Sequence, residues 1–404
     1  MARKLAALPA GSRITDFVSL GVIAKTFPLE TVRAILQTTA RNSVRQRDLP
    51  AHVVIYYVIA LALYMQSSYR EVLRCLLEGM QWLRDPSATI KVAGKSGISQ
   101  ARSRLGWEPL RRLHDEVVKP IAVPATKGAW YGQWRLVSLD GSTLEVADEK
   151  ANEEAFGRQK TGRGTSAYPQ IRFVSLVENG THVLFGSQMD AYAIAEKTLA
   201  QAVLPSLSKG MLCLADRLFF GYEFWKQARA TGADLLWRAK KNLRLPCEKR
   251  LADGSYLSRI YPTEQDFRHK TNGIVVRVID YRLEGVQGAE PMYRLVTSIF
   301  KEAPAEELAA LYHERWEIET ALDELKTHLR GARIVLRSKT PDLVRQEFYG
   351  LLMAHFAVRG LMHEAALKGD EDPDRLSFLH AVRVVRRKLP VFGAIPPSAQ
   401  ECIS

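Results

Sequence analysis

Residues 312–326 read YHERWEIETALDELK. Taken as part of a helix from Glu306 to Arg330, the stretch carries apolar side chains at Leu311, Ile318, Leu322, Leu325 and Leu329, separated by seven, four, three and four residues. That spacing predicts one buried stripe. Tyr312, Arg315, Glu319 and Lys326 stand at relative positions 0, 3, 7 and 14. At about 100° per residue they fall within an arc of roughly 60° beside the stripe. One helix is thus expected to present a phenol, a guanidinium, a carboxylate and an ammonium along a single rim. Glu314, Asp323 and Glu324 read as solvated charges on the rest of its surface.

Upstream, two aspartates follow apolar runs that read as strands. Asp140 follows Leu136-Val137-Ser138-Leu139, and Asp216 follows Leu212-Cys213-Leu214-Ala215. Ligands and metals collect at strand ends in open sheets, although Asp also commonly ends a strand before Gly, as in Asp140-Gly141. Between the two lies a hairpin of Gln170–Val177 and His182–Gly186, joined across Glu178-Asn179-Gly180-Thr181 with an Asn-Gly turn signal. Helices are expected at Lys197–Leu207 and Gly221–Thr231, and a strand at Ala233–Ala239. The fold class is α/β: a mixed sheet flanked by helices over 126–240, a β-rich insertion over 241–303 without a convincing helix, and a return to helices at 304–330, 341–368 and about 373–388, followed by a tail at 391–404.

Residues 1–125 read as an all-α unit. Val53–Met65 is strongly apolar but only 13 residues long, short of the roughly 20 needed to span a bilayer, so it predicts a buried helix and no membrane association. The chain has 404 residues and a formal charge of +13. Residues 1–130 hold 19 basic and 9 acidic side chains, so most of the excess sits in the helical third, the footprint of a phosphate-binding surface. Arg102 and Arg104, within the basic segment Ser99–Val118, are candidate DNA contacts. Four scattered cysteines without a CxxC pair argue against a zinc site or a disulfide framework and fit a reducing cytoplasm. No GxGxxG, Walker loop or HExxH points to nucleotide or metalloprotease chemistry.

With these residues in view, the chain resembles the IS-four group of bacterial insertion-sequence DDE transposases, whose signature is Tyr-x2-Arg-x3-Glu-x6-Lys. Tyr312, Arg315, Glu319 and Lys326 match it in turn. VSLDGSTLEVAD around Asp140 and LADRLFFGYEFW around Asp216 also resemble the group, although relatives often carry Gly where this chain has Leu218.

The resemblance implies an RNase H-like core in which Asp140, Asp216 and Glu319 are the catalytic residues and the metal ligands, binding two Mg²⁺ ions, with Mn²⁺ as the alternative. Two such ions activate water and stabilise the departing 3′-oxygen of a phosphodiester. It further implies that Tyr312, Arg315 and Lys326 clamp DNA phosphates. Tyr293 is either a base-stacking residue or an ordinary strand tyrosine. The implied partners are double-stranded DNA (element ends and target) and a second copy of the chain in a synaptic homodimer. Two alternatives stay open: an RNase H-like nuclease without strand transfer, and a DNA-binding regulator that has lost catalysis.

Overall fold

The computed structural model describes residues 18–43, 49–82, 93–162, 164–240, 242–283, 290–330 and 335–386. The expected tail at 391–404 and the first residues of the helical unit lie outside these. Among the described residues six helices come first: α1 (Val18–Thr26), α2 (Leu29–Thr38), α3 (Ala51–Leu63), α4 (Tyr69–Trp82), α5 (Lys95–Leu105) and α6 (Glu108–Val117). The apolar run forms α3, and every residue from Val53 to Leu63 is buried. Among the described residues no helix is long and apolar enough to cross a membrane.

A ten-stranded sheet follows. Its strands are β1 (Trp130–Tyr131), β2 (Trp134–Glu145), β5 (Gln170–Glu178), β6 (Val183–Ala191), β7 (Met211–Ala215), β8 (Asp234–Arg238), β9 (Lys249–Arg250), β10 (Tyr256–Ile260), β11 (Ile274–Tyr281) and β12 (Tyr293–Thr297). A separate small hairpin joins β3 (Lys160–Thr161) to β4 (Gly164–Thr165). The path across the sheet is β6-β5-β2-β7-β8-β12-β11-β10-β9, with β1 on β2. β6, β5 and β2 form an antiparallel meander, and β7 and β8 then join parallel to β2. Three antiparallel strands followed by two parallel ones is the RNase H-like order. The insertion is not a separate layer, because β12 pairs antiparallel with β8 and carries the sheet onward. It also contains a short helix, α10 (Glu264–His269), which its sequence did not suggest. Thr263 caps that helix by accepting from the Asp266 N–H.

Side chains on β2 and β7 alternate between the two faces, as a pleated strand requires. Val137, Leu139, Cys213 and Ala215 enter the large core shared with the N-terminal helices. Leu136, Leu212 and Leu214 enter a smaller core on the other face, closed by α11 (Ala305–Leu311) and Tyr312. With both faces covered, these strands read as unbroken apolar runs rather than alternating ones. The remaining helices are α7 (Lys150–Phe156), α8 (Glu196–Val203), α9 (Tyr222–Ala230), α12 (Glu317–Asp323), α13 (Pro341–Gly369) and α14 (Phe378–Arg386). α13 runs through the main core. A Cβ at its Gly350 would lie 2.8 Å from the Val58 carbonyl oxygen, so α13 and α3 pack nearly backbone to backbone.

The expected helix over 304–330 is not uniform. Between α11 and α12 the chain tightens into a 3-10 segment at Tyr312–Trp316, and after α12 it widens into a π segment at Glu324–His328. Each segment changes the rotation per residue. The single-rim arithmetic for Tyr312, Arg315, Glu319 and Lys326 therefore does not survive intact.

Candidate active site

Parallel pairing sets the level of the two aspartates. Leu139 on β2 lies opposite Ala215 on β7, so Asp140 and Asp216 come next on adjacent strands at the same height. Each turns an oxygen back onto the following backbone N–H, Gly141 to Asp140 at 2.8 Å and Arg217 to Asp216 at 2.6 Å. Arg315 joins the sheet to the helix. Its guanidinium donates to Asp140 Oδ2 at 3.3 Å and to Glu319 Oε1 at 3.4 Å. The arginine side chain is 10% exposed and that of Glu319 is 49% exposed, so the carboxylate faces solvent while its cation is fixed beneath it.

Burial pushes the Asp140 carboxyl above the ordinary aspartate range. Arg315 opposes this, and Asp216 and Glu319 add to it. Sequence reasoning missed a fourth carboxylate here. Glu196, in the first turn of α8, lies over Gly141, where a Cβ would come within 2.1 Å of its Oε1. Burial, then the charge of Asp140, raise its carboxyl as well. No spacing rule links position 196 to the others. Only the absence of a side chain at Gly141 hinted that something packs there.

A cleft of about 610 Å³ opens at Asp140 and Glu319 and runs along the helix past Lys326 to Arg330. Lys326 Nζ donates to Ser142 Oγ at 3.0 Å. Burial, then Arg330, lower the Lys326 ammonium from its ordinary value. Asp140 and Glu319 stand at one end of the cleft, and Lys326 and Arg330 line its wall together with Glu145 and Asp323.

Several expected DNA contacts lie elsewhere. Tyr312 is 6% exposed, and its hydroxyl donates to the Ala215 carbonyl at 3.3 Å. It therefore pins the end of β7 just before Asp216 and does not clamp a phosphate. Arg102 is 3% exposed. It donates to Gln346, Ser338 and the Leu343 carbonyl, each at 3.1 Å, so it ties α5 to the start of α13 and cannot reach DNA. Arg104, two residues on, is exposed. Both faces of Tyr293 are taken, with the Tyr281 ring stacked at 5.3 Å and the Arg238 guanidinium 4.7 Å from the centroid. No base stacks there without displacing one of them. An exposed aromatic beside the site is Trp316, 57% exposed, with the Arg315 guanidinium 5.3 Å from its ring centroid.

Glu324 corrects its reading as a solvated charge. It is 5% exposed and accepts from Arg359 Nε at 2.9 Å, with His355 and His182 each at 3.3 Å. The helical pattern was blind to this because all three partners lie on other elements.

Residues 132–357, more than half of the chain, match the family described as the transposase DDE domain, and residues 17–115 match the insertion element 4 transposase N-terminal family. The chain belongs to the IS4 family of DDE transposases. It is similar to the transposase InsG of insertion sequence element IS4 from Escherichia coli K12, at 28% identity over 377 residues, 91% of this chain and 82% of that one. It is also similar to the putative transposase InsZ of the same organism, at 25% identity over 54% of this chain and 71% of that one. A solved piggyBac transposase synaptic complex with hairpin DNA aligns at 12% identity over 96% and 84% of the two chains, with a TM-score of 0.49. As a DDE transposase the chain is a DNA-binding, DNA-cleaving enzyme that uses divalent metal.

Proposed function

We propose that this transposase binds the terminal repeats of its element, hydrolyses the phosphodiester at each end and joins the freed 3′-hydroxyl to target DNA, with Asp140, Asp216 and Glu319 as the catalytic carboxylates. One observation carries the reading: two aspartates at the same height on adjacent parallel strands, linked through Arg315 to a solvent-facing glutamate. The donor set fits hard divalent ions, Mg²⁺ or Mn²⁺, which prefer carboxylate oxygens and retain water. The raised Asp140 carboxyl fits this reading: burial raises it most, Asp216 and Glu319 add to it, and a cation at the cluster would offset both. Two bound ions would lower the pKa of the attacking water and neutralise the departing oxygen.

The residues around the triad do the rest. Arg315 orients Asp140 and Glu319. Lys326 holds the phosphate backbone along the cleft. Trp316 offers a face to an unpaired base beside the cut. Arg104 contributes to end binding from α5, and a synaptic homodimer brings the two ends together.

The test is Glu319→Ala with labelled element-end DNA and Mg²⁺. End binding in a gel-shift assay is expected to persist while strand cleavage disappears. Cleavage at the wild-type rate would remove Glu319 from the mechanism. Supplying pre-cut ends then separates a transposase from a nuclease, since only a transposase joins them to a target.

A further inference from the structure

A second set of potential ligands lies behind the catalytic helix. Among the described residues, the His, Cys, Asp and Glu side chains whose ligand atoms all lie within 4.8 Å of one another are His182, Glu317 and Asp374. His182 follows the β5–β6 turn, Glu317 opens α12, and Asp374 precedes α14. Glu317 stands two residues before Glu319, about 200° around an α-helix, so it faces away from the catalytic cleft. We propose that His182, Glu317 and Asp374 form a structural divalent-metal site of the class taken by Zn²⁺, clamping the β5–β6 hairpin and the α13–α14 connection to the back of α12.

Four observations support it. First, His182 is 4% exposed, and its Nε2 makes no hydrogen bond although it points into the carboxylates, with Asp374 Oδ1 at 3.0 Å and Glu317 Oε2 at 3.7 Å. A buried ring nitrogen aimed at two carboxylates without a hydrogen bond is a group short of a partner. Second, the spacing suits an ion. Ligands about 2.0–2.1 Å from a tetrahedral zinc stand about 3.4 Å apart, and the two observed separations bracket that value. Third, the other ring nitrogen is already supported. Glu324 Oε1 lies 3.3 Å from His182 Nδ1, and the Arg359 guanidinium meets the same nitrogen; with Nδ1 donating to Glu324, the carboxylate–histidine arrangement that usually stands behind a metal-bound imidazole, Nε2 is the free ligand. Glu324 is itself held by Arg359 and His355. Fourth, the charge is unbalanced. Ionised, Glu317, Asp374 and Glu324 would bring three negative charges against one positive charge from Arg359, a deficit that one divalent cation fills. The Asp374 side chain is 31% exposed, which gives an ion a way in and water a fourth coordination position.

The test must silence the catalytic carboxylates first. In full-length protein carrying Asp140→Ala, Asp216→Ala and Glu319→Ala, stripped with chelator, calorimetric titration with Zn²⁺ is expected to show one saturable equivalent. Adding Asp374→Asn to that background should weaken it by about 100-fold or more, since a direct ligand is lost where even supporting residues are worth about 10–100-fold. If Asp374→Asn fails to fold by circular dichroism, His182→Gln in the same background carries the comparison. If neither folds, the parent decides: its Co²⁺ complex should show tetrahedral nitrogen–oxygen bands without a thiolate charge-transfer band. No saturable Zn²⁺ in the folded parent overturns the proposal, and so does full-affinity binding in either folded variant or a thiolate band on cobalt. The first of these results would leave a buried cluster neutralised by protons. None of them bears on the triad, which is absent from every protein titrated.

Discussion

The helical stretch from Ala305 to Arg330 has two carboxylate-bearing sides, and they are finished differently. On the cleft side, Glu319 is half exposed and shares one arginine with Asp140 at 3.3–3.4 Å. On the core side, Glu317 accepts from the Gly180 N–H, and Glu324 is gripped by Arg359, His355 and His182. Burial alone would raise the Glu324 carboxyl, but bonds from His182 and His355 and the charge of Arg359 outweigh it and hold it well below the ordinary range. At Asp140 the balance goes the other way, and burial wins. Glu324, which the protein satisfies, builds structure, whereas carboxylates left short of positive charge, Asp140 and Glu317 among them, are free to hold metal.

That contrast predicts opposite responses to isosteric neutralisation. Asp140→Asn should lower Mg²⁺-dependent cleavage by at least about 10³-fold, the scale on which essential catalytic groups act. A carboxyl whose folded pKa is raised contributes stability below its unfolded pKa and loses it as pH rises through the folded value. At neutral pH Asp140 is therefore a burden on the metal-free fold, and the variant's melting temperature should stay level or rise. A marked fall in melting temperature with activity retained would reverse the assignment of the two sides.

Glu324→Gln is the converse. Removing one partner of a buried ion pair costs about 3–5 kcal/mol, because Arg359 stays buried and uncompensated. The variant should melt several degrees lower. Glu324 has a depressed folded pKa, so its contribution is present above the unfolded pKa, near the ordinary glutamate value, and is lost as pH falls through the folded one. The gap between wild type and variant should hold from pH 7 down to about 5 and narrow below that. A gap that widens in acid would mean that Glu324 is protonated in the native state.

How much of this was legible follows from where the partners sit in sequence. Asp216 at the end of β7 and the strand meander were readable, because apolar runs and an Asn-Gly turn are local signals and the family signature is short; Asp140, read as ending its strand, instead lies inside β2, which runs on to Glu145. Glu324 was misread because helical periodicity sees only one helix, and Arg359 and His355 lie on α13. Arg102 was misread because basic residues spread over an amphipathic segment look alike until Gln346, Ser338 and Leu343, some 240 residues away, turn one of them inward. Tyr312 was misread because it extends the buried α11 face of Ala305, Leu308 and Ala309 into the small core, a face the sequence reading did not single out. Glu196 had no motif at all.

Tyr312→Phe should have a smaller effect than either carboxylate change. It removes one hydroxyl donor to the Ala215 carbonyl, a net loss of about 0.5–1.5 kcal/mol, and keeps the ring in the core. Because the bond fixes the end of β7, the expected signature is a modest fall in cleavage rate with unchanged affinity for element ends. A loss of DNA affinity with the rate intact would mean that the hydroxyl touches phosphate after all.

The smallest expected effect separates Arg102 from Arg104, two residues apart on α5. Arg104 is exposed, and a lone phosphate contact changes affinity little, but each one neutralised lowers the salt dependence of binding by about one in the slope of log K against log salt. Arg104→Ala should therefore leave the melting temperature alone and flatten that slope by about one for element ends and unrelated DNA alike. Arg102→Ala should do the reverse: its hydrogen bonds to Gln346, Ser338 and Leu343 are buried, so stability falls while the salt slope of the folded fraction does not move. Equal slopes in wild type and Arg104→Ala would take α5 out of the DNA interface and leave the cleft cation Lys326 as the nearer source of phosphate binding.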